Sequence, residues 1–321
     1  MAQLRINEQT LRRILKRQSE QRWGPAYDAA IHATPKEAPS ISRARILTPQ
    51  KLGGREMHLL SDAEFAAGLL ALYHPLVFDI NEQHMLSPEA RDHPLHEHPY
   101  AQGIRLPVLR GTLVVANEMG RLTEHPKVYV TKPDDPGIWV PFPYLGDLLL
   151  FVLDEKGPFC VNWTVKDKHE KFTRRGTSDR PSRDVPDEGV IARHELEKRY
   201  FLDGDIKTIQ VAGEDFKPEV INNLRDLFGF HRDLTPMSDT DRSKLETFFA
   251  KNVGASTPCI ELLRQAQRDF GISEYHAKVV LKAGIWNRRI LVDLHESVLM
   301  DRPLLPMRRD VIVDYTAWFH R

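Results

Sequence analysis

GDLLLFVLDEKGPFCVNWTVKDK, residues 146 to 168, is the stretch whose reading decides the fold. Two runs rich in branched and aromatic residues, LLLFVLD and FCVNWTV, flank Glu155, Lys156, Gly157 and Pro158, residue types that close turns. The pattern predicts a β-hairpin. With its loop centred between Lys156 and Gly157, Asp147 faces Lys166 in an antiparallel register, and because side chains alternate along a strand, Thr164 shares that face. A carboxylate, a hydroxyl and an ammonium group then converge at one end of the hairpin. Metal-dependent cleavage of a phosphodiester uses such a set. Carboxylates hold a divalent cation that polarises the phosphate and lowers the pKa of a bound water, while a lysine stabilises developing charge or orients the nucleophile. The competing reading is a cross-strand ion pair at the end of a buried hairpin.

Outward from the hairpin, composition sets limits. The 321 residues suffice for two domains of ordinary size. Lysine plus arginine equals aspartate plus glutamate, 45 each, so no global basic field advertises a nucleic-acid partner and any DNA affinity must come from local patches. Two cysteines, Cys160 and Cys259, make neither a disulfide framework nor a zinc spacing, which fits a reducing cytoplasmic setting. The longest apolar run, Leu148 to Leu153, is far short of the roughly 18 residues that span a membrane, and the first residues lack a signal peptide's apolar core.

Upstream, SDAE at Ser61 to Glu64 opens a helix whose apolar positions are Phe65, Leu69, Leu72 and Tyr73. It is a capping box, in which Glu64 folds back to the Ser61 amide. Val77 to Ile80 reads as a strand, followed by the polar Asn81, Glu82 and Gln83. Downstream, Ala192 to Leu202 reads as a helix with Glu195 placed to pair with Arg199, Lys207 to Val211 as a strand, and Phe216 to Phe228 as a helix with Pro218 in its first turn. Strand, helix and strand around an Asp-bearing hairpin predict an α/β core.

Three blocks in this order, HLLSDAEFAAGLLALYHPLVFDINEQHML (58 to 86), the Asp147 hairpin, and ELEKRYFLDGDIKTIQVAGEDFKPEVINNLRDLF (195 to 228), resemble the TnsA-type endonuclease subunit of heteromeric cut-and-paste transposases. The hairpin itself resembles the PD-(D/E)XK arrangement, an Asp opening one strand and an x-x-Lys ending the next. The likeness covers roughly residues 35 to 290. It implies a restriction-endonuclease-like α/β core with a mixed sheet and a mainly helical, winged-helix-like C-terminal domain. It places Glu64, Asp147 and Lys166 on the family's catalytic triad and the Val165 carbonyl on a metal contact, leaving Ser61 alone to cap the helix. The implied cofactor is Mg²⁺, with Mn²⁺ as a substitute. The implied partners are the DNA of the transposon ends, a DDE-type transposase subunit and an AAA+ ATPase regulator, and the implied act is cleavage of the non-transferred strand at the 5′ ends of a bacterial mobile element. One departure stands out: the family usually carries Gln or Glu where this chain has Thr164, whose hydroxyl reaches less far. The alternatives are a stand-alone restriction or resolvase-like nuclease, and a winged-helix DNA-binding adaptor whose nuclease core has decayed.

The remaining segments divide the chain at 1–34, 35–232 and 233–321. The first carries a short basic amphipathic helix, with Leu4, Leu11, Ile14 and Leu15 against Arg5, Arg12, Arg13, Lys16, Arg17 and Arg22, and a linker. Between 87 and 143 nine prolines forbid long helices and central strands, and Leu106 to Ala116 is expected to add a hairpin. His93, His96 and His98 invite a zinc reading, but prolines interleave them and a solvated loop is the stronger expectation. After Lys166 the cations Lys168, Lys171, Arg174, Arg175, Arg180 and Arg183 form a candidate phosphate-holding loop, or a solvated charge run. The composition shift at Asp233 to Asp241 marks the domain boundary. Beyond it, Ser238 to Asn252 is helical, Thr257 and Pro258 start a helix to Phe270, and Glu274 to Ala283 is a helix ended by Gly284. The last two make a helix-turn-helix, with Ile285 to Leu294 as the strands of a wing and Lys278, Lys282, Arg288 and Arg289 as candidate phosphate contacts. The apolar, arginine-bearing Met307 to Arg321 is expected to dock on its own domain or on a partner.

Overall fold

The computed structural model of the chain describes residues 6–38, 43–132, 135–175, 185–232 and 235–321. Helix α1 (Glu8–Gln18) is followed by strands β1 (Arg45–Leu47) and β2 (Met57–Leu59), helix α2 (Asp62–Tyr73) and strand β3 (Val77–Leu86). Then come α3 (Thr112–Glu118), the ribbon β4 (Lys127–Lys132) and β5 (Asp135–Pro141), and the hairpin β6 (Tyr144–Asp154) and β7 (Gly157–Lys166). Helix α4 (Glu188–Leu202) and strand β8 (Lys207–Ala212) precede five helices: α5 (Pro218–Phe228), α6 (Asp239–Lys251), α7 (Cys259–Phe270), α8 (Glu274–Trp286) and the short α9 (Val311–Asp314).

The chain divides into two compact units, one of Met1–Ala71, Pro75–Asp215 and Trp318–Arg321, the other of Leu72–His74 and Phe216–Ala317. The division falls between Asp215 and Phe216, so α5 belongs with the C-terminal helices. Of the boundary stretch expected at Asp233 to Asp241, residues 233 and 234 lie outside the described residues, as do Leu4, Arg5, Arg180 and Arg183.

In the first unit, β3, β6 and β7 pair antiparallel and β8 joins β7 in parallel, giving a mixed sheet of order β3-β6-β7-β8. A parallel pair needs a crossover, and α4 supplies it. Leu149, Phe151 and Cys160 bury one sheet face against Leu196, Tyr200 and Phe201 of α4 and Val115 and Ala116 of α3. On the opposite face Leu148, Leu150, Val152, Val161, Trp163 and Val165 are also buried. Burial on both faces is why LLLFVL shows no polar alternation. The Trp163 indole donates to the Trp318 carbonyl at 2.8 Å and meets the Phe319 ring edge-on, while Arg321 pairs with Asp154 at 2.8 Å.

The hairpin is tighter than predicted. Asp154 pairs with Gly157 across a two-residue turn, Glu155 and Lys156, and Leu148 pairs with Trp163. One step further along this register, Asp147 falls beside Thr164, two residues short of the Lys166 expected. Gly157 makes the tight turn possible, since its φ of 108° is open to glycine alone. A second correction concerns 106 to 116. Instead of a hairpin, Gly111 (φ 95°) turns the chain into helix α3, which buries Thr112, Val115 and Ala116. The ribbon of this region is β4–β5. It lies outside the main sheet, where the prolines at 136 and 141 interrupt no central ladder.

In the second unit, α8 is the hub: Ala277 and every residue from Val279 to Trp286 are buried. It does not end at Gly284. A Cβ there would lie 2.6 Å from Ile290 Cδ1, so this glycine admits a neighbouring side chain and stops no helix. Pro258 serves as the N-cap residue of α7, one position earlier than the first helical turn. The wing strands expected at Ile285 to Leu294 are absent. Ile290, Val292 and Leu294 alternate and are buried, as strand residues would be. Their backbone neighbour is the proline-bearing segment 303–306, which provides only the bridge Val292↔Pro306 and the bond from Asp293 N to the Leu305 carbonyl. A segment with missing N–H donors cannot extend a ladder.

Candidate active site

The open end of the hairpin gathers the predicted residues despite the altered register. Asp147 Oδ2 accepts the Val165 N–H at 2.7 Å and the Lys166 ammonium at 3.1 Å, and Lys166 Nζ also donates to the Val165 carbonyl at 2.8 Å. Thr164 and Lys166 are buried, at 3% and 7% exposure, so this ion pair is largely removed from water.

Strand β3 delivers its polar residues through a local break in alternation. Gln83 has φ 47°, an uncommon conformation for a residue with a Cβ. Its amide reaches back to Glu64 of α2, Nε2 to Oε2 2.9 Å, while the next residue, His84, meets Phe201 of α4 edge-on. His84 lies over Gly146, where a Cβ would come within 2.3 Å of its Nε2. The glycine before Asp147 therefore has a steric reason.

Glu64 works at the start of its own helix, as the capping box anticipates. Its N–H donates to Ser61 Oγ at 3.1 Å, and Oε2 accepts from the Leu60 N–H at 2.8 Å, one residue before the amide of an ordinary capping box. Burial, and next the Asp147 carboxylate, push the Glu64 carboxyl up to about 8. The two carboxylates are close enough to oppose each other's charge.

A third carboxylate was not singled out in the sequence. Glu197 of α4, 2% exposed, accepts from Asn162 Nδ2 at 2.9 Å, Thr164 Oγ1 at 3.0 Å and Arg193 Nη1 at 3.0 Å. Burial drives its carboxyl upward, but Arg193 and Asn162 overcome that and hold it below the usual range. His84 and His194 stand nearby. Burial brings each down to about 4, so both are neutral at physiological pH. A signal existed: Asn162 and Thr164 are polar positions in a strand otherwise reading as core.

Among the described residues, no three or more His, Cys, Asp or Glu side chains cluster to hold an ion. What remains is the Asp147 and Glu64 carboxylates, the Val165 carbonyl and the Thr164 hydroxyl, all hard oxygens of the kind Mg²⁺ prefers. Asp147 Oδ2 and the Val165 carbonyl already converge on one cation, the Lys166 ammonium, at 3.1 and 2.8 Å. The mutual repulsion at Glu64 is a further feature that a divalent ion would relieve. The set fits the ion in chemistry, with fewer protein charges than a dedicated cage.

The proposed phosphate contacts are placed less uniformly. Lys168 is exposed, Lys171 pairs with Asp167 at 2.7 Å, the Arg174 N–H caps a turn at Glu170, and Arg175 lies 3.3 Å from Asp187. In the second unit, Lys282 is 4% exposed, bound to Asp226 at 2.5 Å and seated over the Phe230 ring. Arg288 pairs with Asp310 and Arg289 with Glu246, whereas Lys278 is half-buried above the same Phe230 ring. Of the histidine run, His93 and His98 accept the Leu95 and Tyr100 N–H groups through Nδ1, serving as turn caps. Helix α1 buries Leu11 and Ile14, and its Arg17 is held by Glu37 at 2.8 Å.

Compared with known proteins, the chain matches no family model, and a search of curated proteins finds no match.

Proposed function

We propose that the chain is a Mg²⁺-dependent DNA endonuclease subunit of the TnsA type, with a restriction-endonuclease-like core, which cleaves the non-transferred strand at the 5′ ends of a mobile element. The observation that carries this reading is the junction of Asp147, Lys166 and the Val165 carbonyl at the end of a buried hairpin, with Glu64 within electrostatic reach. An isolated structural ion pair accounts for Asp147 and Lys166. It does not account for a second buried carboxylate within electrostatic reach of the first, its ionisation opposed first by burial and then by Asp147.

Glu64 and Asp147, with the Val165 carbonyl and the Thr164 hydroxyl, would hold the ion. When bound, the ion supplies the polarisation of the phosphate and the acidity of the attacking water. Lys166 donates hydrogen bonds along the edge of the site and stabilises negative charge on a non-bridging phosphate oxygen as the water oxygen bonds to phosphorus and the 3′ oxygen departs. Lys168, Lys171, Arg174 and Arg175 follow Lys166 directly in sequence and would grip the adjoining phosphates. The helix pair α7–α8 would serve as a helix-turn-helix without a wing, with Lys278 as its cation, while Lys282, Arg288 and Arg289 are engaged by Asp226, Asp310 and Glu246 within the unit. The partners are the element's end DNA, a DDE-type transposase and an AAA+ ATPase regulator, in the bacterial cytoplasm. No helix among the described residues is long and apolar enough to cross a membrane.

The test is strand-specific cleavage of end-bearing DNA in Mg²⁺ or Mn²⁺, with and without transposase and regulator. A 5′-end cut that requires both partners and is abolished by Asp147→Ala supports the reading. Cutting by the chain alone identifies an independent nuclease, and a cut indifferent to Asp147→Ala refutes the site.

A further inference from the structure

A threonine hydroxyl has one proton to donate and two lone pairs. Thr164 Oγ1 lies 3.0 Å from Glu197 Oε1, and the same carboxylate already receives two groups that can only donate, the Asn162 amide NH₂ at 2.9 Å and the Arg193 guanidinium at 3.0 Å. Arg193 is itself fixed, donating to the Leu145 carbonyl at 2.8 Å and lying over the Tyr144 ring. Beside that guanidinium Glu197 is an acceptor, so the Thr164 proton points to α4 and the oxygen lone pairs are left for another partner. Thr164 shares its sheet face with Asp147 and Lys166, which places such a partner at the Asp147 end of the hairpin.

We propose that Glu197 is a positioning residue that turns Thr164 into an obligate acceptor toward a divalent cation, or a water on that cation, at the Asp147 site. This rests on the nuclease reading above. A purely structural role, tying α4 to β7, would need no particular direction at Thr164 and would be served equally by the Asn162 and Arg193 bonds. Glu197→Gln keeps the shape but cannot satisfy all three donors. With its oxygen toward Asn162 and Thr164 the amide NH₂ confronts Arg193, and flipped it confronts the Asn162 NH₂ and makes Thr164 its acceptor, using up a lone pair.

The experiment is Mn²⁺ binding to the full chain without DNA, followed by electron paramagnetic resonance, with thermal unfolding recorded for every variant. Wild type binds Mn²⁺ and Asp147→Ala does not. Glu197→Gln and Thr164→Val each weaken binding by about ten- to a hundredfold, as loss of a partner behind a ligand does, and Thr164→Ser restores it. The double variant binds no more weakly than Thr164→Val alone, because Glu197 acts only through that hydroxyl. Unchanged Mn²⁺ affinity in a folded Glu197→Gln protein overturns the proposal, and so do additive losses in the double variant. Should Glu197→Gln not fold, Thr164→Val decides alone: undiminished affinity overturns it. If Asp147→Ala binds as well as wild type, the nuclease reading has failed first, and that outcome is distinct.

Discussion

Replacing Glu64 by glutamine separates the charge of this carboxyl from its work at the helix start. Oε2 accepts from Leu60 N at 2.8 Å and Gln83 Nε2 at 2.9 Å, and Oε1 meets Ser61 Oγ at 3.2 Å. A glutamine with its carbonyl at the Oε2 position keeps the first two bonds, and its NH₂ can donate to Ser61 Oγ. In the wild type, burial and then Asp147 lift the carboxyl from an ordinary 4.5 to about 8. The folded state thus retains a proton that the unfolded chain releases above pH 4.5, so this group's contribution to stability is full below 4.5 and is lost as pH rises to about 8. At about 1.4 kcal/mol per tenfold in proton affinity, that loss is on the order of 5 kcal/mol. Glu64→Gln does not titrate there. It should match wild type near pH 4 and exceed it by roughly 3 to 5 kcal/mol near pH 9, in urea unfolding followed by tryptophan fluorescence. Mg²⁺ near pH 9 should raise wild type and leave the variant unmoved, since the cation offsets the charge that the Glu64 proton offsets at lower pH. A constant difference between the two proteins across pH would refute the reasoning.

Gly146→Ala should cost roughly 1 to 3 kcal/mol and abolish cleavage, because its Cβ would meet the buried His84 ring at 2.3 Å and any relief displaces Asp147; a stable, active variant seen by calorimetry and nicking assay would show that the close approach does not matter. Lys282→Met replaces a buried ammonium by an apolar chain of similar length and leaves Asp226, whose side chain is half exposed, to water, so unfolding should shift by less than about 1 kcal/mol and the salt dependence of DNA binding should be unchanged. A shallower salt slope in binding titrations would return Lys282 to the phosphate contacts.

What the sequence made legible follows from where the information is local. The hairpin was readable because turn residues separate two strands buried on both faces, yet its register slipped by two because a four-residue loop and a two-residue turn before Gly157 share the same text. Asp147 and Lys166 survived the slip since a lysine is long enough to reach back. Glu197 was hidden by helical geometry: Glu195 and Glu197 both stand in α4, Glu195 on an exposed surface paired with Arg199 at 2.7 Å and Glu197 inward, and spacing alone does not say which. The swing of Gln83 and His84 depends on a single positive φ that no pattern announces. Likewise the charges of α8 and of the turn after it were counted without their partners, Asp226, Glu246 and Asp310, which come from distant segments.

The residues Trp318 to Arg321 are counted with the sheet-bearing unit, so all of the helical unit except Leu72–His74 is an insertion in sequence between Asp215 and Trp318. Threading alone therefore links their fates. Folded, the insertion is a compact spacer. Unfolded, it becomes a slack tether of about a hundred residues, and each doubling of such a tether weakens the return of the tail by about 0.6 kcal/mol. Melting the helices would loosen the cover that Trp318 and Phe319 place on Trp163, with no need for any altered contact at the hairpin.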